Sequence, residues 1–294
     1  MEGINKIIHY CWFGGNPLPE DAVKCIESWK KYCPDYEIKQ WDESNFDFTT
    51  CTYAREAYEE KKWAFVSDYA RFWILYNYGG LYFDTDVELI NDISDIVCAG
   101  AFMGSEPFAS GSCRVAAGLG LGVEAMHPIY KEILEHYQSM HFKISDGVYN
   151  DETIVTYITD ILKKHGYKGN GSVESIMNVK IYPPEYFCPM DVDTGELHIT
   201  KNTRSIHWYS ASWKDEREAQ IHNRAVEIYK RHPNKIGKIE SSLYEDLMKM
   251  AYYFRKEGLS NVVNRLIRKL KKNRGGVLSN TVPRYVISIM EVAA

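Results

Sequence analysis

WAFVSDYARFWILYNYGGLYFDTDVE, residues 63–88, runs from a nearly unbroken apolar and aromatic segment through two glycines to a pair of acids. The first part reads as a buried helix, because aromatics and aliphatics lie on all its faces. Gly79-Gly80 ends that helix and turns the chain sharply into a short apolar strand, LYFD. Alternation along an extended backbone would send Asp84 and Asp86 to one side, with Thr85 pointing away. Two carboxylates that close repel one another unless a cation lies between them. The carboxyl edge of a sheet is also where α/β folds place ligands. Hard oxygen donors at such an edge suit Mg²⁺ or Mn²⁺. Asp68 and Arg71, three residues apart on the helix, share a face. The bland reading of the acids is a pair of solvated turn residues, and the bland reading of Asp68–Arg71 is a structural ion pair.

Outward from this segment, the text alternates between strands and helices. KIIHYCWF (6–13) is β-rich and apolar on both faces, as a buried parallel strand requires, and Gly14-Gly15 closes it. LPEDAVKCIESWKKYC (18–33) has helical periodicity, with Val23, Ile26 and Trp29 on one face. YEIKQW (36–41) is a second strand. Helical text resumes at 53 and breaks near Lys61-Lys62. Further on, 100–106 reads as a strand, 113–138 as a glycine-studded strand and a helix starting near Pro128, and 150–166 as a helix that Asn150 or Asp151 could cap. KIYPPEYFCPM (180–190) reads as a proline-interrupted edge strand. SIHWYSASW (205–213) is rich in aromatics and serine. Strand, glycine turn, helix and strand in this order predict a doubly wound α/β fold.

Composition bounds the function. The chain has 294 residues, ample for one large domain with an appendage, and a formal net charge of −5, which gives no footprint for nucleic acid. Seven scattered cysteines with no CxxC spacing argue for reduced thiols and a cytoplasmic protein. The first residues do not read as a signal peptide, and no run approaches the length of a membrane span. From about Pro233 the composition shifts, dividing a domain over 1–232 from a helical appendage over 233–294. Residues 240–272 read as two helices broken at Gly258, the second basic and amphipathic. Its alternatives are packing on the main domain or peripheral attachment to an anionic membrane surface.

Four features in order, IIHYCWFGG, SDYAR, GGLYFDTD and HWYSASW, resemble glycosyltransferase family 32 and related transferases with a DxD sugar-binding region. They span residues 6–213 and leave the C-terminal part uncovered. The resemblance implies a GT-A fold, Rossmann-like with a mostly parallel central sheet, a nucleotide-sugar donor, and Mn²⁺ or Mg²⁺. It implies a retaining hexosyltransferase. By the same resemblance, Asp86, Asp84 and His207 would hold the metal, with Asp84 also near the donor ribose. Asp68 and Arg71 would hold sugar hydroxyls, Arg71 also approaching the diphosphate. Trp12 would stack on the base, Tyr82 would line the donor site, and Ser212 and Trp213 would close over the phosphates. Asn150, Asp151 and Glu152 fall where such folds place a residue beneath the anomeric carbon, with Asp151 the catalytic candidate; helix capping explains them equally well.

The expected donor is a UDP-hexose, first UDP-galactose, with UDP-glucose, UDP-N-acetylglucosamine and GDP-mannose open, and the expected acceptor a glycan or lipid-linked glycan of capsule or O-antigen assembly. Two other readings stand beside it. One is a non-catalytic nucleotide-sugar-binding module, against which the joint presence of Asp68, Arg71, Asp84, Asp86 and His207 weighs. The other is a haloacid dehalogenase-like phosphatase, whose DxD normally closes the first strand of the core rather than a later one.

Overall fold

The computed structural model describes residues 3–257 except 109–110, 146–147, 151, 193, 211–215 and 234. The chain opens with β1 (Ile7–Cys11), α1 (Glu20–Tyr32) and β2 (Glu37–Trp41). After a 3₁₀ turn come α2 (Thr52–Glu59), α3 (Trp63–Tyr78), β3 (Gly80–Tyr82), β4 (Val87–Leu89) and α4 (Ser94–Cys98). The middle holds β5 (Phe102–Pro107), β6 (Cys113–Val115), β7 (Leu121–Val123), α5 (Pro128–Gln138), β8 (Lys143–Ser145), β9 (Val148–Tyr149) and α6 (Ile154–Lys164). Then follow β10 (Glu174–Ile176), β11 (Val179–Tyr182), α7 (Pro184–Phe187), β12 (Ser205–His207), α8 (Glu216–Arg231) and α9 (Lys235–Glu257).

The central sheet runs β10-β11-β5-β7-β3-β1-β2, with β6 added on β5. β1, β2 and β3 pair in parallel, as do β5 and β11, while β7 lies antiparallel between β3 and β5. Five strands therefore share one direction, and β6, β7 and β10 oppose it. This is the mixed α/β architecture with a mostly parallel sheet that the sequence predicts. Core clusters lie on both faces of the sheet. One joins α2, α3, α5 and α6, and the other centres on Trp29, Phe83, Phe102 and Phe187.

Several expectations need correction. On α1 the buried residues are Ala22, Cys25, Ile26 and Trp29, while Val23 is exposed, so the apolar face is turned by one position. β11 is not an edge strand: it pairs with β10 on one side and β5 on the other, and its prolines follow it to start α7. The N-cap of α6 is Thr153, without a side-chain cap; Asn150 instead accepts a hydrogen bond from the Tyr157 hydroxyl at 2.9 Å. The helix predicted from 240 starts earlier, at Lys235; the predicted break at Gly258 and the second helix lie outside the described residues.

The entry into β3 is set by tight packing. Gly79 caps α3 with φ 63°, and Gly80 follows with φ 100°. A Cβ on Gly80 would lie 2.7 Å from the Ile7 carbonyl oxygen and 3.1 Å from His9 Nε2. His9 is fully buried, and its ring is read from both sides. The Trp41 indole N–H donates to Nδ1 at 3.1 Å, so Nε2 carries the proton and donates to the Gly79 carbonyl at 3.0 Å. Burial holds the His9 pKa down at about 4, Lys39 adding to the effect and the Gly79 carbonyl opposing it.

A histidine whose folded-state pKa lies below its unfolded value stabilises the fold above the unfolded value. That stability is lost as pH falls from about 6.5 toward 4. The contribution is about 3 kcal/mol. His9→Gln keeps one donor and one acceptor without a titrating proton, so its urea midpoint should fall much less than the wild type's between pH 6.5 and 4.5. Parallel acid limbs in the two proteins would contradict this.

Candidate functional site

Asp84 and Asp86 are brought together by a turn, not by strand alternation. β3 ends at Tyr82, and the Val87 N–H donates to the Asp84 carbonyl at 3.0 Å, closing a turn around Thr85 and Asp86. β4 leaves this turn and pairs antiparallel with β12 in the register Val87↔His207. The register sets His207 next to Asp86, and the Trp208 N–H donates to the Asp86 carbonyl at 2.9 Å. A two-stranded ribbon thus carries a distant histidine to the DxD.

Side-chain ligand atoms of Asp84, Asp86 and His207 lie within 4.8 Å of one another. His207 Nε2 sits 3.2 Å from Asp86 Oδ1, while the Ser210 N–H and hydroxyl donate to Asp86 Oδ2 at 3.0 and 3.1 Å. Burial opposes the charge on Asp86, but His207 and the Ser210 donors outweigh it and hold its carboxyl at about 2. Burial likewise opposes charge on His207, yet Asp86, Asp84 and Glu106 together raise its pKa above the ordinary imidazole value. His207 Nδ1 is buried with no hydrogen-bond partner among the described residues.

Arg71 holds the other acid. Its Nη2 lies 3.0 Å from Asp68 Oδ1 and 3.3 Å from Asp84 Oδ1, and its Nε donates to the Ser67 carbonyl at 3.1 Å. The Tyr82 hydroxyl also donates to Asp84 Oδ1, at 3.0 Å, while its ring lies under the guanidinium. Burial pushes the Tyr82 phenol well up, so it remains a donor. Burial also pushes Asp68 up, to about 7, with Arg71 pulling against it and Asp84 adding to it. The expected Asp68–Arg71 pair is therefore real, but only 4% of Arg71 is exposed. Its guanidinium positions carboxylates.

With Oδ1 of Asp84 so occupied, Oδ2 points at Gly118. A Cβ on Gly118 would lie 2.0 Å from Oδ2, and the Gly118 carbonyl accepts from the Asp84 N–H at 3.0 Å. Gly118 has no left-handed φ, so alanine is allowed by the backbone and excluded only by the carboxylate. Gly118→Ala should keep the melting temperature and weaken Mn²⁺ binding by about 10–100-fold. A titration of free Mn²⁺ followed by electron paramagnetic resonance checks this; wild-type affinity would show that Asp84 is not needed in this position.

These groups line a cavity of about 380 Å³, within the range of small-molecule sites. Trp12 borders it, with its indole N–H donating to the Asn16 carbonyl at 2.6 Å. Tyr82 is buried behind the wall and does not line the cavity. Ser212, Trp213 and Asp151 lie outside the described residues. The lining also includes residues not among the sequence candidates, notably Trp63, Glu106, Gly118 and His222. Trp63 packs so closely on Gly14 that a Cβ there would lie 2.6 Å from its Nε1. Glu106 lies on β5, one residue before its end, and the Arg114 guanidinium lies 3.2 Å from its carboxylate. No lysine lines the cavity among the described residues, although the phosphatase reading needs one beside the acids.

The donor set fits a hard divalent cation: two carboxylates and an imidazole, with the buried Nδ1 of His207 unpartnered and Asp84 Oδ2 turned away from its own hydrogen bonds. Residues 19–102 match the family described as the glycosyltransferase sugar-binding region containing DXD motif. The match covers that segment and not the rest of the chain. It contains Asp68, Arg71, Asp84 and Asp86 and ends as β5 begins, so His207 and His222 lie beyond it. Inositol phosphoceramide mannosyltransferase 3 of Schizosaccharomyces pombe is 38% identical over 88 residues, which are 29% of this chain and 24% of that protein. Among solved structures, the PaToxG glycosyltransferase aligns over 55% of this chain and 70% of its own, at 18% identity and a TM-score of 0.42. The galactosyltransferase LgtC aligns over 74% and 93%, at 12% identity and a TM-score of 0.37.

Proposed function

We propose that this chain is a metal-dependent, retaining glycosyltransferase that moves a hexose from a nucleoside-diphosphate sugar to a hydroxyl of a glycan or glycolipid. The observation that carries the reading is the Asp84–Asp86–His207 cluster opening on a cavity that also holds the Asp68–Arg71 pair. Asp84, Asp86 and His207 would hold Mn²⁺ or Mg²⁺, which when bound neutralises charge developing on a diphosphate leaving group.

The chain's own residues supply the rest. Arg71 and Tyr82 fix Asp84, and Ser210 and His207 fix Asp86, so the carboxylates meet the donor already oriented. Asp68 lines the cavity, and in this reading it would accept hydrogen bonds from sugar hydroxyls. Trp12 and Trp63 offer indole surface for a base. No side chain is assigned as a covalent nucleophile. A same-face reaction, in which the leaving phosphate takes the acceptor proton, agrees with that.

UDP-galactose is our first donor. UDP-glucose, UDP-N-acetylglucosamine and GDP-mannose stay open beside it, and the word mannosyltransferase in the fission-yeast relative's name supports testing a mannose donor. The test is incubation with UDP-galactose, UDP-glucose, UDP-N-acetylglucosamine and GDP-mannose plus Mn²⁺, reading release of nucleoside diphosphate. We expect Mn²⁺-dependent release from one of them; none from any would remove the reading.

The proposal extends to lipid-linked acceptors in capsule or O-antigen assembly at the cytoplasmic membrane face, supported by the basic amphipathic text after Gly258. No described helix is long and apolar enough to cross a membrane. Liposome flotation should weaken when residues 258–294 are removed; equal flotation would refute the attachment.

A further inference from the structure

One of the two C-terminal helices, α8, reaches the cavity. Ile221 and Ala225, one turn apart on α8, are buried, and His222 between them lines the same cavity as Asp84 and Asp86. α9 holds α8 from behind. The Ser241 hydroxyl donates to the Ala225 carbonyl at 2.8 Å, and Glu245 Oε1 lies 3.1 Å from His222 Nδ1. Lys249 Nζ also donates to Glu245 Oε1, at 2.6 Å. With His222 and Lys249 on it, Glu245 is held at about 2, so it is a carboxylate and can only accept. His222 Nδ1 therefore carries a proton, and the ring is oriented with Nε2 as its remaining hydrogen-bonding atom.

Charge indicates what that atom meets. The lining residues include four acids, Asp68, Asp84, Asp86 and Glu106, and only three basic side chains among the described residues, Arg71, His207 and His222. Arg71 is spent on Asp68 and Asp84, and His207 on Asp86. A diphosphate entering this cavity needs donors besides a divalent ion, and the other two basic groups already face carboxylates. We infer that His222, oriented by Glu245, binds the diphosphate of the nucleotide through Nε2, so that the helical pair α8–α9 completes the donor site. The inference rests on the glycosyltransferase reading above and adds to it a residue outside the matched DXD region.

The rival role is mechanical, with the His222–Glu245 contact merely stapling α8 to α9. Two variants separate the roles. Asparagine at 222 reproduces the reach of Nδ1 to Glu245 but not Nε2, whereas glutamine reproduces the reach of Nε2. Binding of UDP and uridine, and of GDP and guanosine, is measured by calorimetry with Mn²⁺ on the full chain. We expect His222→Asn to weaken the preferred nucleoside diphosphate about tenfold or more, the size of one hydrogen bond to a charged group. The matching nucleoside should bind as to the wild type, and His222→Gln should recover most of the loss.

Glu245→Gln should give a smaller loss in the same diphosphate-specific sense. Unchanged diphosphate binding in His222→Asn overturns the inference, as does an equal loss of nucleoside and nucleoside diphosphate. Both of these results leave the transferase reading standing. A wild type that binds neither UDP nor GDP overturns both.

Discussion

Asp86→Ala is expected to lose Mn²⁺-dependent turnover by about 10³-fold, equivalent to about 4 kcal/mol of transition-state stabilisation. The carboxylate faces His207 through Oδ1 and two donors of Ser210 through Oδ2, and it sits at the corner of the turn that joins β3 to β4. Asp84 Oδ1 is already held by Arg71 and Tyr82, so it is not available to take the place of the lost carboxylate. The alanine variant also frees His207 from its partner, so Asp86→Asn is the better control. An asparagine oxygen can still accept from Ser210, which preserves the loop while removing the charge. Both variants should fold, with thermal melting as the check, and both should fail to turn over. Full activity in either one would refute the metal role of Asp86.

Arg71→Met should cost about 3–5 kcal/mol of stability, the usual consequence of removing one partner from a buried ion pair. The guanidinium is buried and is the shared counter-charge of two carboxylates on different elements, Asp68 on α3 and Asp84 after β3. Without it, both acids face each other with only Tyr82 as a further donor to Asp84. Arg71→Lys should recover little, because one ammonium cannot donate to Ser67, Asp68 and Asp84 in the geometry of the planar fork. Adding Asp68→Asn to Arg71→Met removes one of the stranded charges and should restore part of the stability. Urea unfolding measures all four proteins. A loss below about 1 kcal/mol in Arg71→Met, the scale of an exposed pair, would contradict the buried-pair account.

Much of this site is legible in the residues because its local parts are encoded locally. Gly79-Gly80, the apolar run after them and the Asp68–Arg71 spacing each dictate a conformation over a few positions. The buried β1 and the break between α2 and α3 follow from unbroken apolar text and from Lys61-Lys62, where Lys61 has a positive φ. What the sequence hides is tertiary. Gly118 reads as one glycine among several in a glycine-studded strand, and only the approach of Asp84 gives it a reason. Glu106 and His222 are ordinary polar residues until β5 and α8 are placed around one cavity. The turn that replaces alternation at the DxD depends on where β4 finds β12, a pairing across more than a hundred residues that no local pattern announces. Prolines misled at β11, since Pro183-Pro184 begin α7 and do not interrupt the strand.

The central claim is that Asp84, Asp86 and His207 form a divalent-metal site that works with a nucleoside diphosphate. Electron paramagnetic resonance of free Mn²⁺, titrated against the protein with and without UDP or GDP, tests this most directly. The account predicts one Mn²⁺ bound per chain, tighter in the presence of one of the two nucleotides and lost in Asp86→Asn. No protein-dependent loss of the free Mn²⁺ signal with either nucleotide, or equal binding by the asparagine variant, would contradict it.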